Sequence, residues 1–153
     1  MNVEIINFVE TQVAAIEHYG SPDLEHESVR RLIAWRIAYG YSPQYHRTFG
    51  VHYDDPFTTA PDLYRADFCV SVEKEVAPNS YGVVNKVIPG GRCARLRHVG
   101  SRENISAARY LVEIWLPQSG EALRDFPMFF HYVNVGPAVT EQEMVTDVYL
   151  PLK

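Results

Sequence analysis

Cysteine is scarce in this chain: 2 residues in 153, Cys69 and Cys93. They form no Cys-x-x-Cys pair, which excludes a readable disulfide framework or cysteine metal module, and their apolar strand context predicts buried free thiols. No stretch approaches the roughly 20 consecutive apolar residues that span a bilayer. The opening Met1–Glu10 segment carries acids where a signal peptide carries basic residues, so the expected compartment is the cytoplasm. A basic run is missing as well. With a net charge of −5 and a pI near 5.6, the composition argues against a nucleic-acid surface.

The familiar catalytic signatures are also absent. There is no Gly-x-Ser-x-Gly elbow, and Pro89-Gly90-Gly91 is not followed by the Gly-Lys-Ser/Thr of a phosphate loop. The six histidines (18, 26, 46, 52, 98 and 131) make no His-x-x-x-His or His-Glu-x-x-His pattern. No metal site, cofactor or catalytic residue is read from the sequence. The expectation is a protein that is not an enzyme.

What the chain has is an internal repeat. His18, Gly20 and Ser21 return 80 residues later as His98, Gly100 and Ser101, followed by Trp35/Trp115, Gly40/Gly120, Phe49/Phe129 and Asp67/Asp147. No gap is needed, and the repeat covers approximately residues 8–73 and 88–153 of a single 1–153 domain. A period this long suggests two copies of one small module around a pseudo-two-fold axis, with a shared groove between them. At 46% apolar residues the chain can bury a sizeable core without staples.

Hydrophobic periodicity predicts strands at 3–6, 12–19, 48–53 and 66–73 in the first copy, and at 83–88, 93–99, 128–134 and 145–150 in the second. A helix is expected over 24–39, with Val29, Leu32, Ile33, Arg36 and Ile37 facing inward and Gly40 closing it. Its counterpart is expected over 105–116, stopped by Pro117, with a weaker helical turn over 120–124. The fold class is therefore α+β: two β-α-β-β modules forming an antiparallel sheet with two helices on one face and a central ligand groove. Trp35 and Trp115 sit on the same flank of their helices, and two readings stay open: they line the groove, or each seals the edge of its own half-core. Asp67 and Asp147 fall mid-strand. Arg65, two residues before Asp67, shares its sheet face, and a structural ion pair or a turn-anchoring contact is the default. Gly50 and His52 in one copy, and Phe130 and Tyr132 in the other, give apolar walls with a few polar tips, the usual make-up of a small-molecule pocket.

In this order, the stretches 49–56 (Phe-Gly-Val-His-Tyr-Asp-Asp-Pro), 64–70, 89–94 (Pro-Gly-Gly-Arg-Cys-Ala), 98–100, Trp115, 127–132 and 147–152 resemble the GyrI-like small-molecule-binding domain. That fold is also the effector-binding domain of AraC-type and MerR-type regulators. The resemblance covers essentially the whole chain. It implies a stand-alone sensor or scavenger without a DNA-binding part, acting as monomer or dimer and binding hydrophobic or aromatic, weakly cationic small molecules. Trp35, Tyr39, Gly50, His52, Phe68, Trp115, Phe130, Tyr132 and Tyr149 are the implied ligand-binding residues. The alternatives it carries are DNA gyrase as a protein partner and, further off, hydrolysis of small electrophiles. One departure stands out: the family commonly has a glutamate at the position of Phe130, and its loss shifts the expected ligands toward neutral aromatic compounds.

Overall fold

Among the described residues, eight strands follow the 80-residue repeat, and the one long helix of the first copy is matched by three helical segments in the second. In the computed structural model, which describes residues 2–153, β1 (Glu4–Phe8), β2 (Thr11–Tyr19), α1 (Glu25–Tyr39), β3 (Thr48–His52) and β4 (Arg65–Ser71) make up the first copy. The second has β5 (Val84–Ile88), β6 (Gly91–Val99), α2 (Ser106–Tyr110), a π-helical turn (Leu111–Trp115), α3 (Leu116–Ser119), β7 (Phe129–Tyr132) and β8 (Val145–Pro151). β1 and β5, β2 and β6, and β4 and β8 occupy corresponding residues. The architecture is α+β, and every strand pair described within the two units is antiparallel.

The two compact units do not coincide with the two copies. One unit comprises residues 11–88, the other residues 1–10 and 89–153. Within the 11–88 unit the strand order is β3-β4-β2-β5; within the other it is β1-β6-β8-β7. β5, which begins the second copy, completes the first sheet: Thr11 lies opposite Ile88 and Ala15 opposite Val84. β1, which begins the first copy, completes the second sheet, with Gly91 opposite Phe8 and Arg95 opposite Glu4. These pairs are 80-residue mates of one another, so the exchange is reciprocal and keeps one register.

Period-2 alternation then divides each sheet into two faces. In the 11–88 unit, Ala14, Ile16, Ala66, Phe68 and Val70 pack beneath Leu32 and Trp35 of α1. In the other unit, Ala94, Leu96, Phe130, Val148 and Leu150 pack beneath Ala107 and Leu111. Cys69 and Cys93 are buried free thiols.

Three expectations about the helices need correction. The buried face of α1 is Ser28, Leu32, Trp35 and Arg36, while Ile33 and Ile37 are 49% and 79% exposed. Arg36 is buried because its guanidinium serves the connector after the helix: it donates to the Tyr41 carbonyl at 2.8 Å, to Thr48 Oγ1 at 2.8 Å and to the His46 carbonyl at 3.1 Å. Pro117 does not stop the second helix. It falls in the first turn of α3, where a missing N–H costs little, and the segment continues to Ser119 before Gly120 closes it at φ 74°. Residues 120–124 are not helical: Leu123 bridges Leu152, and the Arg124 N–H donates to the Pro151 carbonyl at 3.1 Å.

The two tryptophans are mates but are not equally buried. The second helix starts out of phase with the first: its buried residues are Ala107 and Leu111, one position earlier than the mates of Ser28 and Leu32. The π turn carries an extra residue per hydrogen-bonded ring, which takes up that one-residue offset before Gly120, the mate of Gly40, closes the segment. Val112, the mate of buried Leu32, ends up 44% exposed. Trp35 is 1% exposed and stacks on Tyr41 at 4.6 Å, whereas Trp115 is only partly buried against its core.

Gly90 has no room for a side chain: a Cβ there would lie 2.9 Å from both the Glu10 nitrogen and the Phe8 carbonyl oxygen. At Gly120 nothing lies within 4 Å, and only its left-handed φ opposes substitution. Gly90→Ala is therefore expected to lose about 1–3 kcal/mol, because backbone must shift to make room. Gly120→Ala should lose about 1 kcal/mol. Urea denaturation of the two variants checks the order, and equal losses would contradict this account of Gly90.

Candidate ligand-binding residues

On the helix side of the 11–88 unit, sequence alternation points Gly50, His52 and Phe68 to the face that α1 covers: Gly50 lies opposite Phe68 and His52 opposite Ala66. Tyr64, just ahead of β4 and 1% exposed, reaches His52 Nδ1 through its hydroxyl at 3.1 Å and donates to Glu25 Oε2 at 3.3 Å. Glu25 opens α1, so the helix dipole favours its charge. Burial acts against that charge and raises its pKa, with His18 and Tyr64 pulling partly the other way. His18 is fixed in turn. Its Nε2–H donates to the carbonyls of Gly20 and Ser21 at 3.2 and 3.0 Å, and its Nδ1 meets Ser28 Oγ at 2.8 Å. Phe68 stands edge-on to the His18 ring at 6.4 Å.

The result is a carboxylate, a phenol and two imidazoles set among apolar walls. Burial lowers the His52 pKa to about 4, so its ring is neutral at physiological pH. With Tyr64 donating to Glu25, the His52 Nδ1–H donates to the Tyr64 oxygen. Trp35 lies in the same core, and Tyr39, 54% exposed, leans on it at 5.9 Å.

In the other unit, Phe130 and Tyr132 share the helix side of β7, their rings edge-on at 6.3 Å, and Trp115, Leu116 and Met128 pack with them. Arg102 lies over the Tyr132 ring at 5.1 Å. It is anchored to Thr146 Oγ1 at 2.8 Å and to the Val145 carbonyl at 2.7 Å. Tyr132 thus already has a cation on its ring. Tyr149 belongs to the opposite face, stacked on Phe129 at 5.0 Å and meeting Phe8 edge-on at 5.3 Å. The sheet separates it from Phe130 and Tyr132.

Of the nine residues proposed from sequence, the structure places Trp35, Gly50, His52 and Phe68 on one helix-side face, with Tyr39 at its margin. It places Trp115, Phe130 and Tyr132 together on another such face. Glu25, Tyr64, His18 and Arg102 were not singled out as ligand-contacting. Only long-range pairing brings Glu25 to Tyr64, and no local spacing announces it. The Asp67 expectation shifts too. Arg65 pairs with Asp54 at 3.0 Å, while Asp67 takes Lys86 at 2.9 Å and the Tyr53 hydroxyl at 2.6 Å.

Comparison with known proteins bears on what these faces do. The family model for the GyrI-like small-molecule-binding domain matches residues 1–153. The chain belongs to this family. The GyrI-like chain is 46% identical over 154 residues to the probable transcriptional regulator YgiV of Escherichia coli strain K12, covering 99% of this chain and 96% of that protein. It is 26% identical over 156 residues to a DNA gyrase inhibitor of Erwinia billingiae, covering 99% and 97%. Among solved structures, the C-terminal domain of EcmrR shares the GyrI-like fold with a TM-score of 0.76 at 14% identity, over 99% of this chain and 97% of that one. SAV2435 bound to tetraphenylphosphonium shares it with a TM-score of 0.59 at 11% identity, over 100% and 94%. Among the described residues, no helix is long and apolar enough to cross a membrane.

The buried imidazole gives a pH signature. A histidine held neutral in the fold but free to protonate when unfolded adds stability above pH ~6.5, and that stability is lost as pH falls toward 4. The His52 ring should stay neutral by NMR until about pH 4. Between pH 6.5 and 4 the wild type should lose stability more steeply than His52→Gln. Glu25, shifted upward, acts in the opposite sense, so the comparison is made with Glu25 unchanged.

Proposed function

We propose that this protein binds hydrophobic aromatic small molecules, including weak or delocalised cations, without transforming them. The observation that carries the reading is the Glu25 carboxylate: partly buried, resisted by its surroundings as a charge, and flanked by Tyr64, His18 and His52 beside Phe68. A carboxylate in low dielectric gains most when a cation replaces its lost water, whereas an aromatic face alone favours cations by only about 0.5–2 kcal/mol. Phe130, where the family resemblance leads one to expect a glutamate, supplies none of that charge. Arg102 over Tyr132 also makes that aromatic pair a poor cation platform. Cation selectivity in this chain then falls to Glu25. Membership of a small-molecule-binding family supports the class of activity, and the neighbour bound to tetraphenylphosphonium suggests a probe.

A second reading, a protein-binding role toward DNA gyrase, is favoured by the relative that carries the name gyrase inhibitor. Inhibition of supercoiling by the purified chain with no small molecule present would select it.

At a hundredfold excess over its dissociation constant, a ligand adds about 2.7 kcal/mol to stability, which is a rise in Tm of roughly 5–10 °C for a chain of this size. Tetraphenylphosphonium and planar aromatic amines are expected to give such rises. Glu25→Gln should weaken the cation by roughly tenfold and leave neutral aromatics within about twofold. A broad panel without any shift in Tm would end the small-molecule reading. An unchanged cation affinity in Glu25→Gln would remove Glu25 from it.

A further inference from the structure

Each nine-residue strand outruns the five-residue strand on its outer side. β5 pairs only with residues 11–15 of β2, and β1 only with residues 91–95 of β6. Beyond those ladders the strand has its inner neighbour alone, and a notch opens at the same place in each unit. In the 11–88 unit it measures about 220 Å³; in the other unit about 530 Å³. His18 and Asp67 line the first, and their mates His98 and Asp147 line the second.

Their contents differ. In the smaller notch, Lys86 lies between Asp67 and Glu17 at 2.9 Å each, 5.7 Å from the Tyr53 ring. The chain's own ammonium occupies that position. Burial alone would lower the pKa of Lys86, but the two carboxylates outweigh it and raise it. The mate of Lys86 is the apolar Ile6, and the mate of Glu17 is Arg97, which lines the larger notch, so the charge at that position is reversed. Arg97 holds both oxygens of buried Asp147, at 2.8 and 3.0 Å, and Arg95 holds Glu4 at 2.9 Å. Both wall carboxylates are thereby neutralised, and each arginine commits only part of its five-donor fork. The Arg97 side chain is 58% exposed. Asn2 and Ser106 add polar groups, while Val99, 62% exposed, adds apolar surface.

We propose that the larger notch is a second binding site, for small organic carboxylates. The arginine pair takes the carboxylate by charge-assisted hydrogen bonds, and Val99 takes the apolar body. Its volume is within the range usual for small-molecule sites. The site lies wholly within one unit and does not depend on Glu25.

Benzoate titrated into the full chain, followed by amide NMR, tests the assignment. Resonances of residues 95–99 and of Ser106 and Ala107 should move with saturation. Those of Glu17, His18 and Tyr19 in the equivalent notch should stay in place. Benzamide, the same shape without the charge, should bind at least about tenfold more weakly, as should benzoate with Arg95→Gln. Arg97→Lys keeps Asp147 neutralised but loses the planar fork, and should also weaken benzoate. Absence of saturable shifts, equal movement at both notches, equal binding of benzamide, or an unchanged affinity in both arginine variants would each overturn the proposal.

Discussion

The reciprocal exchange of first strands is the constraint on which the rest of the structure depends. A sheet edge left open presents unpaired backbone groups, and each copy has one such edge beside its long central strand. Neither copy closes that edge itself. β5 crosses to β2 and β1 crosses to β6 in one register, so the sheet of each unit is built from both copies. Tight packing at Gly90 results, because the short link between β5 and β6 passes within van der Waals contact of the backbone between β1 and β2. The faces are fixed as well: once register is set, period-2 alternation puts Phe68 and Phe130 on the helix side and Asp67 and Asp147 on the other.

Much of this was legible in the sequence. Gly40 marks where the first helix stops, at φ 78°. Strand positions came from alternation and from Pro, Gly and Asp turns. The phase of the second helix could not be read, because a π turn leaves no compositional trace and because Pro117 looks like a stop until its place in the first turn of α3 is known. The inner face of α1 was misread for a related reason. Ile33 and Ile37 are apolar but exposed, while Arg36, which its spacing did place inward, is buried through three hydrogen bonds that only the folded connector supplies.

The candidate site was half legible. Aromatic residues near the strand centres were visible as such. Glu25 was not, because a single glutamate at a helix start normally reads as a solvated dipole partner. Its surroundings come from Tyr64, 39 residues away. Tyr149 looked equivalent to the other aromatics, and a strict count along β8 assigns it to the opposite face, where it stacks on Phe129. Duplication also gave misleading symmetry. The mates Lys86/Ile6 and Glu17/Arg97 show that equivalent backbone positions can lose a charge or reverse it.

The unequal burial of Trp35 and Trp115 has a spectroscopic consequence. One indole is shut away from water against a tyrosine and the other is partly wetted, so the native emission spectrum is the sum of a blue component and a red one. Each unit thereby carries its own optical reporter, and the response of either half can be followed without a label.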